Sequence, residues 1–263
     1  MPSVKENREK WGSAYGWPED GDEWSRPWGG AEMQWHWMVK PRIRSYLPAA
    51  RVVEIAPGYG RWTQFLILEA ERLWAVDILE SCIIACNKRF SRFAHASFFL
   101  NDGASLSCVA DGEADFIFSF DSLVHAEADT IEAYLREIGR KLSKDGVAFM
   151  HHSNLGEYPV QAWLSGIPKL RAGLRWLGLL EKRFHWRGKS VTAAKVEEIA
   201  RGHGLQCISQ ELVNWSTRRA LIDCFTTLVR PDSKWARENR VVRNHRFMLE
   251  AEGIRRLASL YGS

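Results

Sequence analysis

The sequence lacks the features that would place this protein in a membrane or in an oxidising compartment. It contains no run that approaches the ~18 apolar residues of a membrane-spanning helix. Residues 1–10 include no apolar signal-peptide segment. The five cysteines form no C-x-x-C pair, and their odd number argues against a disulfide framework. We therefore expect a cytoplasmic protein with reduced thiols and no membrane span.

A strong net charge is missing as well. The 36 basic and 32 acidic residues leave a formal charge of +4, which is too small to indicate a nucleic-acid partner. Residues 169–189 form one basic stretch, with seven Lys and Arg residues and a single acid. A solvated helix face accounts for a patch of that size. We expect no nucleic acid among the partners of this protein.

The sequence does contain a predicted strand, a glycine turn and a helix between residues 51 and 68. The β-branched run 52–55 stops at Pro57-Gly-Tyr-Gly60, and residues 62–68 continue with helical spacing. Glycine lets the backbone approach a ligand and adopt positive φ, and the first amides of the helix then face that ligand. Taken alone, the pattern is equally consistent with a tight strand–helix connection.

Polar residues follow three further predicted strands. The run 73–76 ends at Asp77, the run 96–100 is followed by Asn101-Asp-Gly103, and the run 114–120 ends at Asp121. Ligands of open α/β sheets bind at the carboxyl ends of the strands. We therefore expect these polar groups to surround one ligand site.

The motif at residues 54–60 (Glu-x-Ala-x-Gly-x-Gly), Asp77 and residues 101–103 together resemble the signature of class I S-adenosylmethionine-dependent methyltransferases. The resemblance covers roughly residues 50–230. It implies an α/β fold, a Rossmann-like seven-stranded sheet with helices on both faces, and S-adenosylmethionine as cofactor. A nicotinamide-binding Rossmann domain is disfavoured because Thr63 stands where the complete G-x-G-x-x-G motif would end.

The same resemblance implies roles for individual residues. The backbone of Gly58 and Gly60 would lie against the methionine end of the cofactor, Asp77 would hold the ribose, and Asp102 would read the adenine. Ala56 replaces the usual first glycine, which is tolerated if its φ is negative. The predicted cofactor-binding residues are Glu54, Ala56, Gly58, Gly60, Trp62, Asp77, Ile78, Asn101, Asp102, Gly103 and Phe120.

The N-terminal segment is unusually rich in tryptophan. Six of the thirteen tryptophans lie within the first forty residues, and flexible linkers are poor in large aromatic residues, so this segment must pack. Either its rings cover the core or some of them form a platform for a sugar ring. We predict an aromatic cap (1–48), a methyltransferase domain (49–230) with a lid insertion (153–190), and a C-terminal helical extension (231–263). The extension folds back on the domain or on a second subunit of a homodimer.

Catalysis should involve histidines at the ends of the fourth and fifth strands. Methyl transfer requires an oriented acceptor and removal of its proton, which histidine can accept near neutral pH. His125, which follows Asp121, is the first candidate and His152 the second, because alternation turns only one of the histidines at 151 and 152 toward the site. The predicted catalytic residues are His125, His152 and Asp121, and the predicted substrate contacts are Trp28, Trp35, His151, Tyr158 and His185.

A metal-assisted mechanism is the alternative to simple base catalysis. Asp121-x-x-x-His125 resembles part of the E-x-x-E-H metal motif of certain 2′-O-methyltransferases, although Val124 replaces its second acid. Together with His152, these residues could hold Mg²⁺ beside two substrate hydroxyls. General-base catalysis is the favoured interpretation.

The acceptor is indicated only by a wider resemblance. Segments 29–30, 101–103, 120–125, 151–154 and 207–211 are similar to a bacterial branch of methyltransferases found with saccharide biosynthesis. This similarity implies O-methylation of a sugar, oligosaccharide or polysaccharide. Two alternatives stay open: a small aromatic or natural-product acceptor, and a non-catalytic binding protein of the same fold. In the latter, the apolar face of residues 164–180 would contact a membrane or a nucleic acid.

Overall fold

A mixed sheet forms the centre of this protein. The computed structural model describes residues 3–12, 15–165, 167, 187–215 and 220–261. Within these ranges the sheet has eight strands in the order β3-β2-β1-β4-β5-β7-β6-β8, and β7 runs antiparallel to both of its neighbours. The strands are β1 (Ala49–Ile55), β2 (Ala70–Asp77), β3 (Ala96–Leu100), β4 (Ala114–Ser119), β5 (Leu142–Ser153), β6 (Gln206–Val213), β7 (Asp223–Val229) and β8 (Arg240–Asn244).

The predicted α/β Rossmann-like sheet is confirmed, with one strand more than the seven expected. The additional strand, β8, pairs in parallel with β6 at the edge of the sheet. It comes from the segment after residue 231, for which the sequence predicts helix alone. A helix, Phe247–Tyr261, follows it.

Helices cover both faces of the sheet. They are α1 (Val4–Gly12), α2 (Ala31–Gln34), α3 (Lys40–Ile43), α4 (Thr63–Leu66), α5 (Glu80–Arg89), α6 (Ala128–Lys141), α7 (Pro159–Ser165), α8 (Ala193–Gly202) and α9 (Phe247–Tyr261), with a π-helical turn at Trp35–Val39 and short 3₁₀ turns at Asp22–Trp28, Arg44–Tyr46, Leu123–His125 and Leu155–Glu157. In the described ranges, no helix combines the length and the apolar character needed to cross a membrane.

The two faces of the sheet bury different parts of the chain. Val52 belongs to one core and Val53 to the other, because successive side chains of a strand point to opposite faces. The first core receives α9 together with Trp28 and Trp35 of the N-terminal segment, and the second receives α6 and α8. The N-terminal segment is therefore part of the fold, and it reaches the edge of the sheet where the functional site lies.

Candidate active site

A cavity of about 330 Å³ lies at the carboxyl ends of β1, β2 and β4. This is the edge at which open α/β sheets bind their ligands. Residues 56–58, 76–79 and 120–123 line it from the strand ends, and Trp11, Trp17 and Trp24 line it from the N-terminal segment. Of the predicted cofactor-binding residues, Ala56, Gly58, Trp62, Asp77, Ile78, Gly103 and Phe120 line the cavity, whereas Glu54, Gly60, Asn101 and Asp102 do not.

The glycine turn has a backbone that other residues would strain. Gly58 and Gly60 have φ values of +59° and +94°. A Cβ atom on Gly60 would lie 2.4 Å from the ring of Phe90, and one on Gly58 would lie 2.8 Å from the indole of Trp17. Ala56 has φ +58°, so the expected negative φ is wrong and this alanine adopts a left-handed conformation that costs about 1–2 kcal/mol.

Asp77 joins the end of β2 to the glycine turn. Its Oδ2 accepts a hydrogen bond from the Gly58 amide at 3.1 Å, and its Oδ1 accepts one from the Leu79 amide at 2.9 Å. Burial raises the pKa of Asp77 to about 6, although both amides favour the ionised form. A carboxylate therefore lies in the cavity wall in a fixed orientation, as recognition of a diol requires.

The loop after β3 supports the cavity without placing its acid inside. Asp102 accepts hydrogen bonds from the Ala104 and Ser105 amides, each at 2.8 Å, and its side chain is exposed. Asn101 donates to the hydroxyl of Tyr134 at 3.1 Å. Gly103 is the residue of this loop that lines the cavity, with φ +89°. Gly103 rather than Asp102 therefore lies in the cavity wall, and the adenine contact of Asp102 stays a prediction.

Asp121 lies in a buried network of charged groups at the end of β4. It has φ +67°, and its Oδ2 accepts from Arg61 Nη2 at 2.9 Å. Its backbone amide donates to His151 Nδ1 at 3.1 Å, and His151 Nε2 lies 3.4 Å from Asp223 Oδ2. Burial alone would raise the pKa of Asp121, but the positive charge of Arg61 keeps it below its usual range. Asp121 is thus an ionised, weakly basic group.

His125 lines the cavity beneath the N-terminal helix. Its imidazole lies 5.3 Å from the ring centre of Trp11, and its backbone oxygen accepts from Asn7 Nδ2 at 3.2 Å. On the other side of the cavity, Arg8 Nη2 donates to the Asn101 carbonyl at 3.3 Å. Helix α1 therefore bridges the ends of β3 and β4 and covers the space between them.

Comparison with known proteins agrees with this geometry. Residues 52–146 match a family model described as a methyltransferase domain. In structure, the chain is similar to the PH0226 protein from Pyrococcus horikoshii OT3, with a TM-score of 0.52 at 19% identity, over 76% of this chain and 90% of that one. It has the Rossmann-like fold of class I methyltransferases. The family match indicates a methyltransferase domain in residues 52–146, and the structural similarity shows its fold.

Two further structures with this methyltransferase fold contain bound S-adenosylhomocysteine. The N-methyltransferase NodS from Bradyrhizobium japonicum WM9 has a TM-score of 0.50 at 15% identity, over 82% of this chain and 90% of that one. The magnesium protoporphyrin IX methyltransferase ChlM from Synechocystis PCC 6803 has a TM-score of 0.56 at 15% identity, over 87% of this chain and 100% of that one. No curated protein sequence matches the chain.

Within this methyltransferase fold, His152 faces away from the cavity. Its Nε2 is bonded to Thr226 Oγ1 at 2.7 Å and its Nδ1 to the Ser153 carbonyl at 2.8 Å. The side chain is fully buried, and burial lowers its pKa to about 4. The structure therefore corrects the assignment of His152 as a second base, because His151 is the histidine on the side of Asp121.

The magnesium site predicted at Asp121, His125 and His152 is not formed. Within the described ranges, no group of three His, Cys, Asp or Glu side chains is arranged to hold a metal ion. Asp121 is paired with Arg61, and His152 points to the opposite face of β5. The residues present do not fit the ion at this position.

The predicted substrate contacts are also placed elsewhere. Trp28 and Trp35 are only 1% and 2% exposed and pack in the core, against Phe247 and Phe65 respectively. The Tyr158 hydroxyl accepts a hydrogen bond from the Leu221 amide at 2.9 Å, and His151 is fully buried behind Phe120. His185 lies outside the described residues, as does most of the predicted lid (166 and 168–186).

Other tryptophans of the cap line the cavity instead. Trp11, Trp17 and Trp24 line the cavity, and the ring of Trp11 contacts the other two, with centroids 5.8 Å from Trp24 and 6.3 Å from Trp17. Trp17 also stacks on Tyr59 at 4.8 Å. The sequence leaves a platform as one of two alternatives, and the tryptophans it names as substrate contacts, Trp28 and Trp35, are not the ones that line the cavity.

Glu54 has a structural place behind the glycine turn. Its Oε2 accepts from Thr63 Oγ1 at 2.6 Å, which connects the end of β1 to the first residue of α4. The side chain is 1% exposed, and burial raises the pKa of this carboxyl to about 8. The folded protein therefore favours the protonated form of Glu54 through most of the neutral range.

We expect Glu54→Gln to flatten the pH dependence of stability. A pKa raised from 4.5 to about 8 means that the stabilising contribution is complete below pH 4.5 and is lost as pH rises toward 8. The loss is on the order of 3 kcal/mol between pH 5 and pH 8. Thermal unfolding of both proteins across this range tests the prediction. Equal slopes for the two proteins would show that Glu54 does not titrate there.

Proposed function

We propose that this protein is an S-adenosylmethionine-dependent O-methyltransferase that acts on a hydroxyl of a sugar, either free or within an oligosaccharide or polysaccharide. The observation that carries the proposal is the composition of one cavity. Its walls combine the glycine turn and Asp77 with an imidazole, His125, and a cluster of indole rings. A cofactor site and an acceptor site are therefore contiguous.

The cavity residues fit S-adenosylmethionine, which supplies a methyl group on a sulfonium when bound. Asp77 offers two carboxylate oxygens to the two ribose hydroxyls. Gly58 and Gly103 leave the backbone bare at the cavity wall, and their positive φ values exclude most other residues. Ile78 follows Asp77 and gives an apolar contact for the base.

The acceptor side of the cavity suits a hydroxylated ring. The half-buried faces of Trp11, Trp17 and Trp24 match the apolar C–H face of a sugar, and indole N–H groups can donate to its hydroxyls. His125 receives the proton that the acceptor hydroxyl loses, an effect worth about 10²–10⁴ in rate. Asp121 remains ionised beside Arg61, so it is a weaker base than an imidazole in the same cavity wall.

Incubation with S-adenosylmethionine and a panel of sugars tests the proposal directly. We expect a product heavier by one methyl in place of a hydrogen, together with S-adenosylhomocysteine, for at least one hydroxylated saccharide. The same indole cluster would also accept an aromatic ring, so phenols and small natural products form the second panel. Methylation confined to the second panel would refute the sugar acceptor, and failure to bind the cofactor would favour a non-catalytic binding protein.

A further inference from the structure

Two adjacent residues place unused hydrogen-bond donors in the wall of the cavity. Arg61 is 8% exposed and Trp62 is 3% exposed, and both residues line the cavity. Arg61 Nη1 and Trp62 Nε1 are buried, and neither has a hydrogen-bond partner among the described residues. A buried donor without a partner costs about 1–3 kcal/mol, and more when it is charged. Two such donors in the wall of one cavity indicate a polar ligand group that binds there.

The remainder of the Arg61 side chain is held firmly. Its Nη2 donates to Asp121 Oδ2 at 2.9 Å, and its Cζ lies 4.6 Å from the centre of the Trp62 ring. Trp62 in turn packs edge-on against Phe120 at 5.3 Å. The guanidinium and the indole are thus held next to each other in fixed positions.

The two arginines that line the cavity differ in how completely their donors are used. Arg187 also lines the cavity, and its positive charge is matched by Asp223, to which it donates two hydrogen bonds at 2.8 and 2.7 Å. Arg61 has one bond to Asp121 and keeps a second guanidinium nitrogen for another partner. A guanidinium nitrogen and an indole N–H suit the two oxygens of a carboxylate.

We propose that Arg61 and Trp62 form a carboxylate-binding subsite, with Arg61 Nη1 and Trp62 Nε1 donating to the carboxylate. The proposal rests on the proposed function, because a methyltransferase offers two sources of this group. One source is the amino-acid end of the cofactor. The other is an acidic acceptor, such as a sugar with a uronate carboxylate. In both cases the subsite satisfies the two buried donors and orients the reactants.

Calorimetry with S-adenosylhomocysteine and 5′-methylthioadenosine separates the first source. The two ligands share the adenosine and the thioether, but the second lacks the amino-acid end. We expect Arg61→Gln to lower affinity for S-adenosylhomocysteine about 10- to 100-fold and affinity for methylthioadenosine less than about threefold. Trp62→Phe, which keeps a ring and removes the N–H, should lower the first affinity about three- to tenfold.

A second titration addresses the acceptor. In protein saturated with S-adenosylhomocysteine, tryptophan fluorescence reports the binding of sodium glucuronate and of neutral methyl glucoside. If the acceptor supplies the carboxylate, Arg61→Gln should spare both adenosine ligands and remove the preference for glucuronate. Arg61→Lys keeps the charge beside Asp121 and should show an intermediate loss, which guards against a variant that merely fails to fold.

Control measurements separate failure of the carboxylate subsite from failure of the proposed function. Arg51 donates two hydrogen bonds to Asp115, at 2.9 and 3.0 Å, at the opposite end of β1. Arg51→Gln should therefore leave the affinities for both adenosine ligands unchanged. Equal losses for both adenosine ligands in Arg61→Gln, or no discrimination in either titration, would overturn the subsite and leave the proposed function standing. A wild-type protein that binds neither adenosine ligand would refute the proposed function and the subsite with it.

Discussion

Replacing His125 with glutamine is expected to lower kcat about 10²- to 10⁴-fold and to change the affinity for S-adenosylhomocysteine less than about twofold. Glutamine keeps much of the size of the side chain and its contact with Trp11, but it cannot accept the acceptor proton. Steady-state kinetics with a sugar that the wild-type protein methylates gives kcat, and calorimetry gives the affinity for S-adenosylhomocysteine.

His95 offers a matched control for this variant. Its Nε2 is bonded to the carbonyl of Ile67 at 3.0 Å, and it does not line the cavity. We expect His95→Gln to retain wild-type kcat. Full turnover in His125→Gln, or a loss of cofactor affinity equal to the loss of kcat, would remove His125 from the role of general base.

Replacing Asp77 with asparagine should lower affinity for S-adenosylhomocysteine about 10- to 100-fold, because hydrogen bonds to a charged group contribute about 1.5–3 kcal/mol. Both carboxylate oxygens accept backbone amides in this structure, from Gly58 and from Leu79. The amide of asparagine would place a donor against one of these donors. The variant therefore loses both a ribose contact and a restraint on the glycine turn.

The pH dependence of binding gives a second measurement on Asp77. Burial raises its pKa to about 6, so the carboxyl is ionised above that pH and protonated below it. A ribose diol is bound better by the ionised form. The affinity of the wild-type protein should therefore fall as pH drops through 6, and Asp77→Asn should abolish this fall.

Asp115→Asn is the control for this series, since Asp115 pairs with Arg51 outside the cavity. It should bind S-adenosylhomocysteine as the wild type does at every pH. Unchanged affinity in Asp77→Asn, with the pH dependence intact, would mean that another group holds the ribose.

The glycine turn and the acid beside it in the cavity wall could be predicted closely because their signal is local. The strand 52–55, the glycine turn and the acid at the end of β2 are each short patterns with a direct physical meaning. Parallel strands then bring their carboxyl ends to one edge, whatever the details of the helices. Seven predicted cofactor-binding residues accordingly line one cavity. The left-handed Ala56 was unexpected because a single φ angle is set by the surrounding turn.

The part of the site that we propose for the acceptor is formed by residues distant in sequence, so its prediction depended on long-range packing. Alternation along β5 predicts that one of two neighbouring histidines faces the site, but the structure shows that His151 bonds to the Asp121 amide and is buried behind Phe120. Strand β8 likewise depends on a free edge of β6, about thirty residues away in sequence. Its two arginines and two exposed valines do not, without the neighbouring strand, distinguish a strand from the surface of a helix.

The sequence by itself determined the fold class, the glycine turn and the acid of β2, because neighbouring residues encode backbone conformation and strand ends. Only the tertiary structure decided which tryptophans cover the cavity, which histidine faces it and that Asp121 pairs with Arg61 rather than with a metal ion. These choices join residues tens of positions apart. They follow from the burial of side chains against partners that local sequence patterns do not specify.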